Sequence, residues 1–137
     1  MPKMVFINLP VRDLPAATAF YEALGFVKHP GFSDDNASSM QWSDTIVFML
    51  LKREFYSTFT SKPIADAHRE SAHLISLNFD SREAVDAIVE KARAAGGRID
   101  ASPPQDHGFM YARDFEDLDG NGFGPLWMDP KAIPPQP

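Results

Sequence analysis

The sequence contains no cysteine, which excludes disulfides, thiolate nucleophiles and iron–sulfur clusters. Histidine is also scarce in this chain of 137 residues, since only His29, His68, His73 and His107 are present. Any metal site must therefore combine these four side chains with carboxylates or backbone oxygens.

The chain also lacks an excess of positive charge and a long hydrophobic segment. Its net charge is −6, and its 13 Lys and Arg are scattered, whereas nucleic-acid-binding domains carry a basic patch. The longest apolar run, residues 45–51, is far shorter than the roughly 20 residues of a membrane-spanning helix. No secretory signal pattern opens the sequence. We therefore expect a cytoplasmic protein that binds neither nucleic acid nor membrane.

The overall composition is that of an ordinary globular protein. Hydrophobic residues make up 44% of the chain and charged residues 23%, at a length that favours one domain. Residues 131–137 contain three of the twelve prolines. We predict a single domain over residues 1–130 and a flexible, Pro-rich tail over residues 131–137.

The first half of the chain has the pattern of a strand, a helix and three further strands. Residues 6–11 alternate as a buried strand does, and apolar residues then recur at helical spacing over residues 14–24. Asp13 is the predicted N-cap of this helix, and Gly25 the residue that ends it. Three short strands follow, at residues 26–29, 38–42 and 45–51.

The second half repeats this order after a polar, irregular connector at residues 53–70. Residues 74–79 alternate again, Asp80 and Glu83 resemble a capping box, and a helical stripe runs to the two glycines at 96–97. Further strands are predicted at residues 98–101, 109–115 and 123–129. Two βαβββ modules, at about 3–55 and 72–130, are therefore expected.

This repeat predicts an α+β fold. One open sheet in each module cannot cover both of its faces, so the two βαβββ repeats are expected to form a cupped mixed sheet with the helices outside. Such an arrangement leaves a concave cleft between the modules, and a cleft of this kind suits a small molecule.

Several short motifs carry a family resemblance. They are NLPVRDL at 8–14, AFYEALGF at 19–26, DSRE at 80–83, VD at 85–86, AAGG at 94–97, GFMY at 108–111, FEDLDGN at 115–121 and WMDP at 127–130. With these motifs the sequence resembles the vicinal oxygen chelate superfamily, the glyoxalase/bleomycin resistance/dioxygenase group, over residues 3–130. The resemblance implies paired βαβββ modules, a homodimer and a small-molecule site inside the cup.

The resemblance also allows the metal question to be asked residue by residue. Metal-dependent members hold the ion with a His near the start of each module's first strand and with acidic ligands on the last strands. The matching positions here are occupied by Phe6, Leu74, Gly124 and either Phe48 or Met49. None of these side chains can replace the hydration shell of a divalent cation. We therefore expect no metal cofactor.

Three other candidate features favour a structural interpretation. His73 lies one residue before the position of Leu74, which turns its side chain to the other face of the strand. Residues 117–122 begin like a calcium loop but lack the closing Glu, so a turn is predicted. The neighbours Asp106 and His107 lie in a predicted surface loop, and adjacent residues rarely face each other. No nucleophile-elbow motif is present, and no catalytic residue is assigned.

The strand patterns do indicate residues that line the cleft. Asn8, Ser76 and Asn78 lie on the predicted cleft faces with Phe6, Leu74 and Met49, and Tyr111 and Arg113 share one face of a later strand. The predicted ligand-binding residues are thus Phe6, Asn8, Met49, Leu74, Ser76, Asn78, Tyr111 and Arg113. This lining is mostly apolar with a few hydrogen-bonding groups, as in many sites for organic ligands.

Three functions follow as hypotheses. The first is a glyoxalase/bleomycin resistance-like protein that binds a small organic ligand without a metal. The second is a lyase of the glyoxalase (lactoylglutathione lyase) type, or an extradiol-type dioxygenase, whose divalent metal is held by non-standard ligands such as His73 and Asn8. The third is a dimeric interaction module without a ligand.

Overall fold

The computed structural model describes residues 2–132, which form two compact units, one ending at Glu70 and the other starting at Ser71. Most of the predicted tail lies outside the described residues. Its first two residues, Lys131 and Ala132, form a short 3-10 turn with Pro130. Within residues 2–132 no helix has the length and apolar character needed to cross a membrane.

The first unit follows the predicted order of strand, helix and three strands. Its elements are β1 (Val5–Val11), α1 (Leu14–Ala23), β2 (Val27–Lys28), β3 (Ala37–Gln41) and β4 (Ile46–Lys52). The four strands form one sheet in the order β1-β4-β3-β2, in which β1 and β4 are parallel and the other pairs are antiparallel. Parallel pairing of β1 with β4 requires a crossover, and α1 lies within it.

Helix α1 covers one face of this sheet. Asp13 caps it as predicted, because its carboxylate accepts a hydrogen bond from the Ala16 amide at 3.1 Å. The helix ends at a left-handed glycine, Gly25, with φ of 103°. The fully buried rings of Phe20 and Tyr21 point into the core, where the Tyr21 ring stacks at 6.4 Å from that of Phe48.

A short helix follows β4 where an irregular connector was expected. This helix, α2, spans Arg53–Tyr56 and continues into a 3-10 turn at Ser57–Phe59. The Thr58 hydroxyl donates a hydrogen bond to the Phe55 carbonyl at 2.7 Å. A single helical turn is too short to show the 3.6-residue periodicity from which helices are predicted, so this part of the connector prediction was wrong.

The second unit repeats the order with shorter strands. They are β5 (Leu74–Ile75), β6 (Asn78–Phe79), β7 (Arg98–Ile99), β8 (Gln105–Asp106), β9 (Met110–Ala112), β10 (Phe115–Glu116), β11 (Gly122–Phe123) and β12 (Leu126–Met128), with helix α3 at Arg82–Ala94. They form two four-stranded groups, ordered β5-β11-β10-β7 and β6-β12-β9-β8. Strand β8 lies where the sequence predicted a loop.

Pro125 explains the break between the strands predicted at 109–115 and 123–129. It stands between β11 and β12, where its carbonyl accepts from the Arg113 amide at 3.1 Å, but proline has no amide hydrogen to donate in return. The strand predicted at 74–79 is divided at the same level, although its Ile75 and Leu77 carbonyls accept from the amides of Gly124 and Leu126. The register nevertheless continues across the interruption, since Leu74 pairs with Gly122 and Phe79 with Trp127 at a constant offset. The strands predicted at 74–79, 109–115 and 123–129 are therefore interrupted but keep one register.

Helix α3 covers one face of the second unit. Val85, Ile88 and Val89 are buried on it, and beneath it the rings of Phe115 and Phe123 stack at 5.0 Å. Its N-cap is Ser81, whose hydroxyl accepts from the Ala84 amide at 3.0 Å, so the predicted cap at Asp80 is wrong by one residue. The motif contains two good capping residues in succession, and only the backbone geometry distinguishes them.

The cap assignment gives a direct test. Ser81→Ala is expected to lower the free energy of unfolding by about 1 kcal/mol, because the Ala84 amide loses its acceptor. Asp80→Ala, the matched control one residue away, is expected to have a much smaller effect. Urea denaturation of the three proteins measures both values. A larger loss for Asp80→Ala than for Ser81→Ala would contradict the observed cap.

Candidate functional site

A cavity of about 470 Å³ lies on the face of the first unit's sheet opposite α1. Its lining comprises Met4, Phe6, Asn8, His29, Phe32, Ser39, Gln41, Val47 and Met49. Its size falls in the range of small-molecule pockets, about 300–1,000 Å³.

The strand register explains why these side chains meet. Side chains at paired positions of neighbouring strands lie on the same face, and the residues between them lie on the other. Two groups of paired residues line the cavity, Phe6 with Val47 and Gln41, and Asn8 with Met49 and Ser39. Because Leu9, Phe48 and Leu50 of the same strands are buried in the core, the cavity residues necessarily face away from α1.

His29 and Phe32 complete one side of the cavity. The His29 amide donates to the Ser39 carbonyl at 2.8 Å, and a 3-10 turn at Pro30–Phe32 then brings the Phe32 ring to 4.8 Å from the imidazole. Nδ1 of His29 is buried and has no hydrogen-bond partner among the described residues. A Cβ at Gly31 would lie 3.1 Å from Cε1 of this imidazole, so the glycine allows the ring to pack closely on the turn.

The cavity lining is apolar with a minority of polar groups. Asn8, Ser39, Gln41 and His29 contribute the polar atoms, and no Lys, Arg, Asp or Glu belongs to the lining. The side-chain amides of Asn8 and Gln41 form no hydrogen bond with the residues that the structure describes. Such a surface suits an uncharged, largely apolar molecule with a few hydrogen-bonding groups.

Three of the eight predicted ligand residues, Phe6, Asn8 and Met49, come together in this cavity. A second set of three, Leu74, Ser76 and Asn78, occupies alternate positions of the interrupted strand in the second unit. The residue between two of them, Leu77, is buried, whereas Leu74 is 80% exposed. A Cβ at Gly124 would lie 3.2 Å from the Ser76 hydroxyl, so this glycine leaves space beside Ser76.

The other two predicted residues, Tyr111 and Arg113, lie on the opposite face of the second unit from Asn78. The Tyr111 hydroxyl donates to Asp86 on α3 at 2.7 Å, and the Arg113 guanidinium binds Asp86 at 3.0 Å and Asp100 at 2.6 Å. We therefore correct the expectation that they join Asn78 in the ligand site. The alternation showed correctly that Tyr111 and Arg113 share a face, but it could not show that α3 covers it.

These contacts shift the pKa values of Asp86, Tyr111 and Arg113. The hydrogen bond from Tyr111, followed by that from Arg113, lowers the pKa of Asp86. The same bond to Asp86 raises the pKa of the Tyr111 phenol, and the hydrogen bond with Asp100 is the largest cause that raises the pKa of Arg113. The Asp86 carboxylate and the Arg113 guanidinium therefore stay charged near neutral pH, which is typical of a structural ion-pair network.

A second arginine fixes Asp106, the neighbour of His107 in the predicted surface loop. The Arg82 guanidinium donates to both Asp106 oxygens, at 2.6 and 2.9 Å, and lies 5.3 Å from the ring centre of Tyr111 and 5.1 Å from that of Trp127. The hydrogen bond from Arg82 is the largest cause that lowers the pKa of Asp106 to about 2. The carboxylate is thus engaged with α3 rather than with His107.

The calcium-loop-like segment is a turn, as predicted. Asp117 accepts hydrogen bonds from the amides of Asp119 and Asn121, both at 2.9 Å, and from the Asn121 side chain at 2.8 Å. Gly120 has φ of 86°, a value that favours glycine. The Asp117 carboxylate therefore holds the turn together and is already satisfied within the chain.

The positions that would hold a metal in this fold do not fit one. Phe6 and Met49 line the apolar cavity, Phe48 is fully buried against α1, and Leu74 and Gly124 offer no donor atom. Across residues 2–132, no group of three or more His, Asp or Glu side chains lies close enough to bind an ion. Both ring nitrogens of His73 are buried and lack a partner among the described residues.

The family profile of the Glyoxalase/Bleomycin resistance protein/Dioxygenase superfamily matches residues 3–124. The chain belongs to this superfamily. The resemblance inferred from the motifs and the α+β fold class are both confirmed. Among curated proteins, by contrast, none matches the chain.

Solved structures of similar fold span almost the whole chain of this superfamily member. A hypothetical protein from S. aureus is 28% identical, with a TM-score of 0.77, over 93% of this chain and 95% of that one. A bleomycin resistance determinant encoded on the transposon Tn5 is 21% identical, with a TM-score of 0.63, over 93% and 99%. The fosfomycin resistance protein FosX from Listeria monocytogenes is 18% identical, with a TM-score of 0.67, over 96% and 97%.

Sequence reasoning missed six residues of the cavity, namely Met4, His29, Phe32, Ser39, Gln41 and Val47. Ser39, Gln41 and Val47 lie within predicted strands, and the register with β1 would have revealed them had the strand pairing been known. His29 and Phe32 depend on the 3-10 turn at Pro30–Phe32; the Pro30-Gly31 pair indicates a turn, but not that the turn lies against the cavity.

The Arg82–Asp106 pair gives a pH-dependent prediction. The pKa of Asp106 is about 2 in the folded protein, below its ordinary value of 3.8. The charged Asp106 carboxylate therefore stabilises the fold above about pH 4, and this contribution is lost as the pH falls through about 2. Asp106→Asn is therefore expected to unfold at lower urea concentration than the wild type at pH 7, with a difference that closes between about pH 4 and 2. Asp44→Asn, at an exposed hairpin turn, is the control. A pH-independent difference for Asp106→Asn would contradict the ion pair.

Proposed function

We propose that this superfamily member binds a small, uncharged organic molecule in the cavity on the open sheet face of its first unit, and that it does so without a metal ion. The observation that carries the proposal is the cavity of about 470 Å³ with its apolar walls, a few polar groups and no Lys, Arg, Asp or Glu. The homodimer that the resemblance implies stays a prediction.

Two side-chain amides of the lining are available to a ligand. The amides of Asn8 and Gln41 each have donors and an acceptor that the described residues leave unused. Asn8 is exposed, and neither amide is among the buried groups without a partner, so both are hydrated in the free protein. A ligand with complementary groups replaces this water, whereas a ligand without them leaves each amide it covers unsatisfied, at a cost of about 1–3 kcal/mol.

The charge of the lining narrows the class of ligand. A bleomycin resistance determinant and a fosfomycin resistance protein share this fold, which supports a small molecule as the ligand. Carboxylates, which suit a cationic drug, and Lys or Arg, which suit an anion, are both missing from the lining. An uncharged molecule is therefore favoured over either, since an unpaired charge is costly to bury.

The proposal predicts selective binding of neutral aromatic probes. 2-Naphthol, which is uncharged at pH 7, is expected to bind at least roughly tenfold more tightly than naphthalene-2-sulfonate, whose charge finds no counterion in the cavity. Isothermal titration calorimetry measures both dissociation constants. Thermal unfolding provides a second readout, because a ligand at 100 times its Kd stabilises the native state by about 2.7 kcal/mol.

Two substitutions on the same strand provide the matched control for this experiment. Phe6 and Val5 are 57% and 52% exposed, but only Phe6 lines the cavity. Phe6→Glu is therefore expected to weaken 2-naphthol binding strongly, and Val5→Glu to leave it unchanged. Equal effects of the two variants, or no binding of 2-naphthol to the wild type, would contradict the proposed site and favour an interaction module without a ligand.

The absence of a metal is tested by elemental analysis of protein purified without a chelator. We expect nickel, zinc, iron and manganese each to be far below one equivalent per chain, because Phe6, Leu74 and Gly124 supply no ligand. Stoichiometric metal that is lost in the His73→Ala variant would contradict the proposal and would support the lyase or dioxygenase hypothesis instead.

A further inference from the structure

A second cavity adjoins the first at Asn8. It has a volume of about 250 Å³ and is lined by Asn8, Leu51, Tyr56, Phe59 and Thr60. Asn8 also lines the larger cavity, so this one side chain stands at the border of both. No predicted ligand-binding residue lies within residues 51–60, and the proposed function does not use this second cavity.

The two cavities follow the same strand. Val47 and Met49 line the larger cavity and Leu51 the smaller one, and all three lie at alternate positions of β4. Alternate residues of a strand share one face. At about 3.3 Å per residue, the distance along β4 from Val47 to Leu51 is about 13 Å. Asn8 pairs with Met49, in the middle of this distance.

The outer wall of the smaller cavity is the segment after β4. Tyr56 ends α2, and Phe59 belongs to the 3-10 turn that follows. The Phe59 ring is supported by Phe55, whose ring centre is 5.1 Å away, yet Phe59 is 68% exposed. An exposed aromatic ring at the edge of a cavity is available to cover an apolar group that enters it.

Asn8 supplies the polar element between the two apolar compartments. Its side-chain amide forms no hydrogen bond with the described residues, and it offers two donor hydrogens and an acceptor oxygen. A planar group that carries both a donor and an acceptor, such as a secondary amide, can donate to the Asn8 side-chain oxygen and accept from its amide hydrogens.

We infer that the two cavities form one site for an elongated, uncharged molecule whose two apolar ends are joined by a planar hydrogen-bonding group at Asn8. One end fills the larger cavity, and the other lies against Tyr56 and Phe59. This inference rests on the proposed function, because the larger cavity must bind one end of the molecule.

Two probes that differ by one ring test the inference. Benzanilide has two phenyl rings joined by an amide, and benzamide has the same amide with a single ring. Benzanilide is expected to bind at least about tenfold more tightly in calorimetric titration, because its second ring removes further apolar surface from water. Phe59→Ala is expected to remove most of this preference while leaving benzamide binding within twofold of the wild type.

Further variants separate the parts of the site. Asn8→Leu, similar in shape but without the amide, is expected to weaken benzanilide by about three- to tenfold. Phe32→Ala, which alters only the larger cavity, is expected to weaken both probes. Phe109→Ala, at a 51% exposed ring in the second unit, is the control and is expected to change neither. The melting temperature of each free variant confirms that it is folded.

The failure of this inference is distinguishable from that of the proposed function. If benzanilide binds no more tightly than benzamide, or if Phe59→Ala weakens both probes equally, the two-compartment site is overturned, while 2-naphthol binding still supports the larger cavity. If 2-naphthol, benzamide and benzanilide all fail to bind, both the proposed function and this inference are overturned.

Discussion

The packing of α1 on one face of the first unit's sheet is the constraint on which the candidate site depends. The buried rings of Phe20 and Tyr21 hold the helix against the face that carries Leu9 and Phe48. Because side chains alternate along a strand, every residue between those core positions is directed to the opposite face. The cavity residues are therefore placed by the core, and the parallel β1–β4 pair brings Asn8 next to Met49.

In the second unit, the sheet face covered by the helix carries polar as well as apolar side chains. Its core resembles that of the first, but Tyr111, Arg113 and Arg82 bind carboxylates on or beside α3 instead of remaining free for a ligand. These polar groups are satisfied within the chain, whereas Asn8 and Gln41 in the first unit are not. The two halves of the repeat thus share an architecture while differing in the chemistry that their polar residues can offer.

The strand interruptions and the cap of α3 show the limits of local patterns. The pattern over residues 109–115 located a strand, but Pro125 on the neighbouring strand divides it, because no amide donates to the main chain at Arg113. The loss of this donor can be predicted only when the pairing partner is known. The same holds for Asp80 and Ser81, since both suit an N-cap and only the extended backbone at Ser81 decides between them.

The sequence by itself determined the family, the α+β fold class, the faces of the long strands and the lack of metal ligands at Phe6, Leu74 and Gly124. These properties follow from local periodicity and from the chemistry of single residues. Tertiary structure decided which strand faces the helices cover, and therefore that Tyr111 and Arg113 turn towards α3. It also brought His29, Gln41 and Tyr56 to cavities on the sheet. Such juxtapositions depend on strand pairing between residues distant in the chain, which no local pattern specifies.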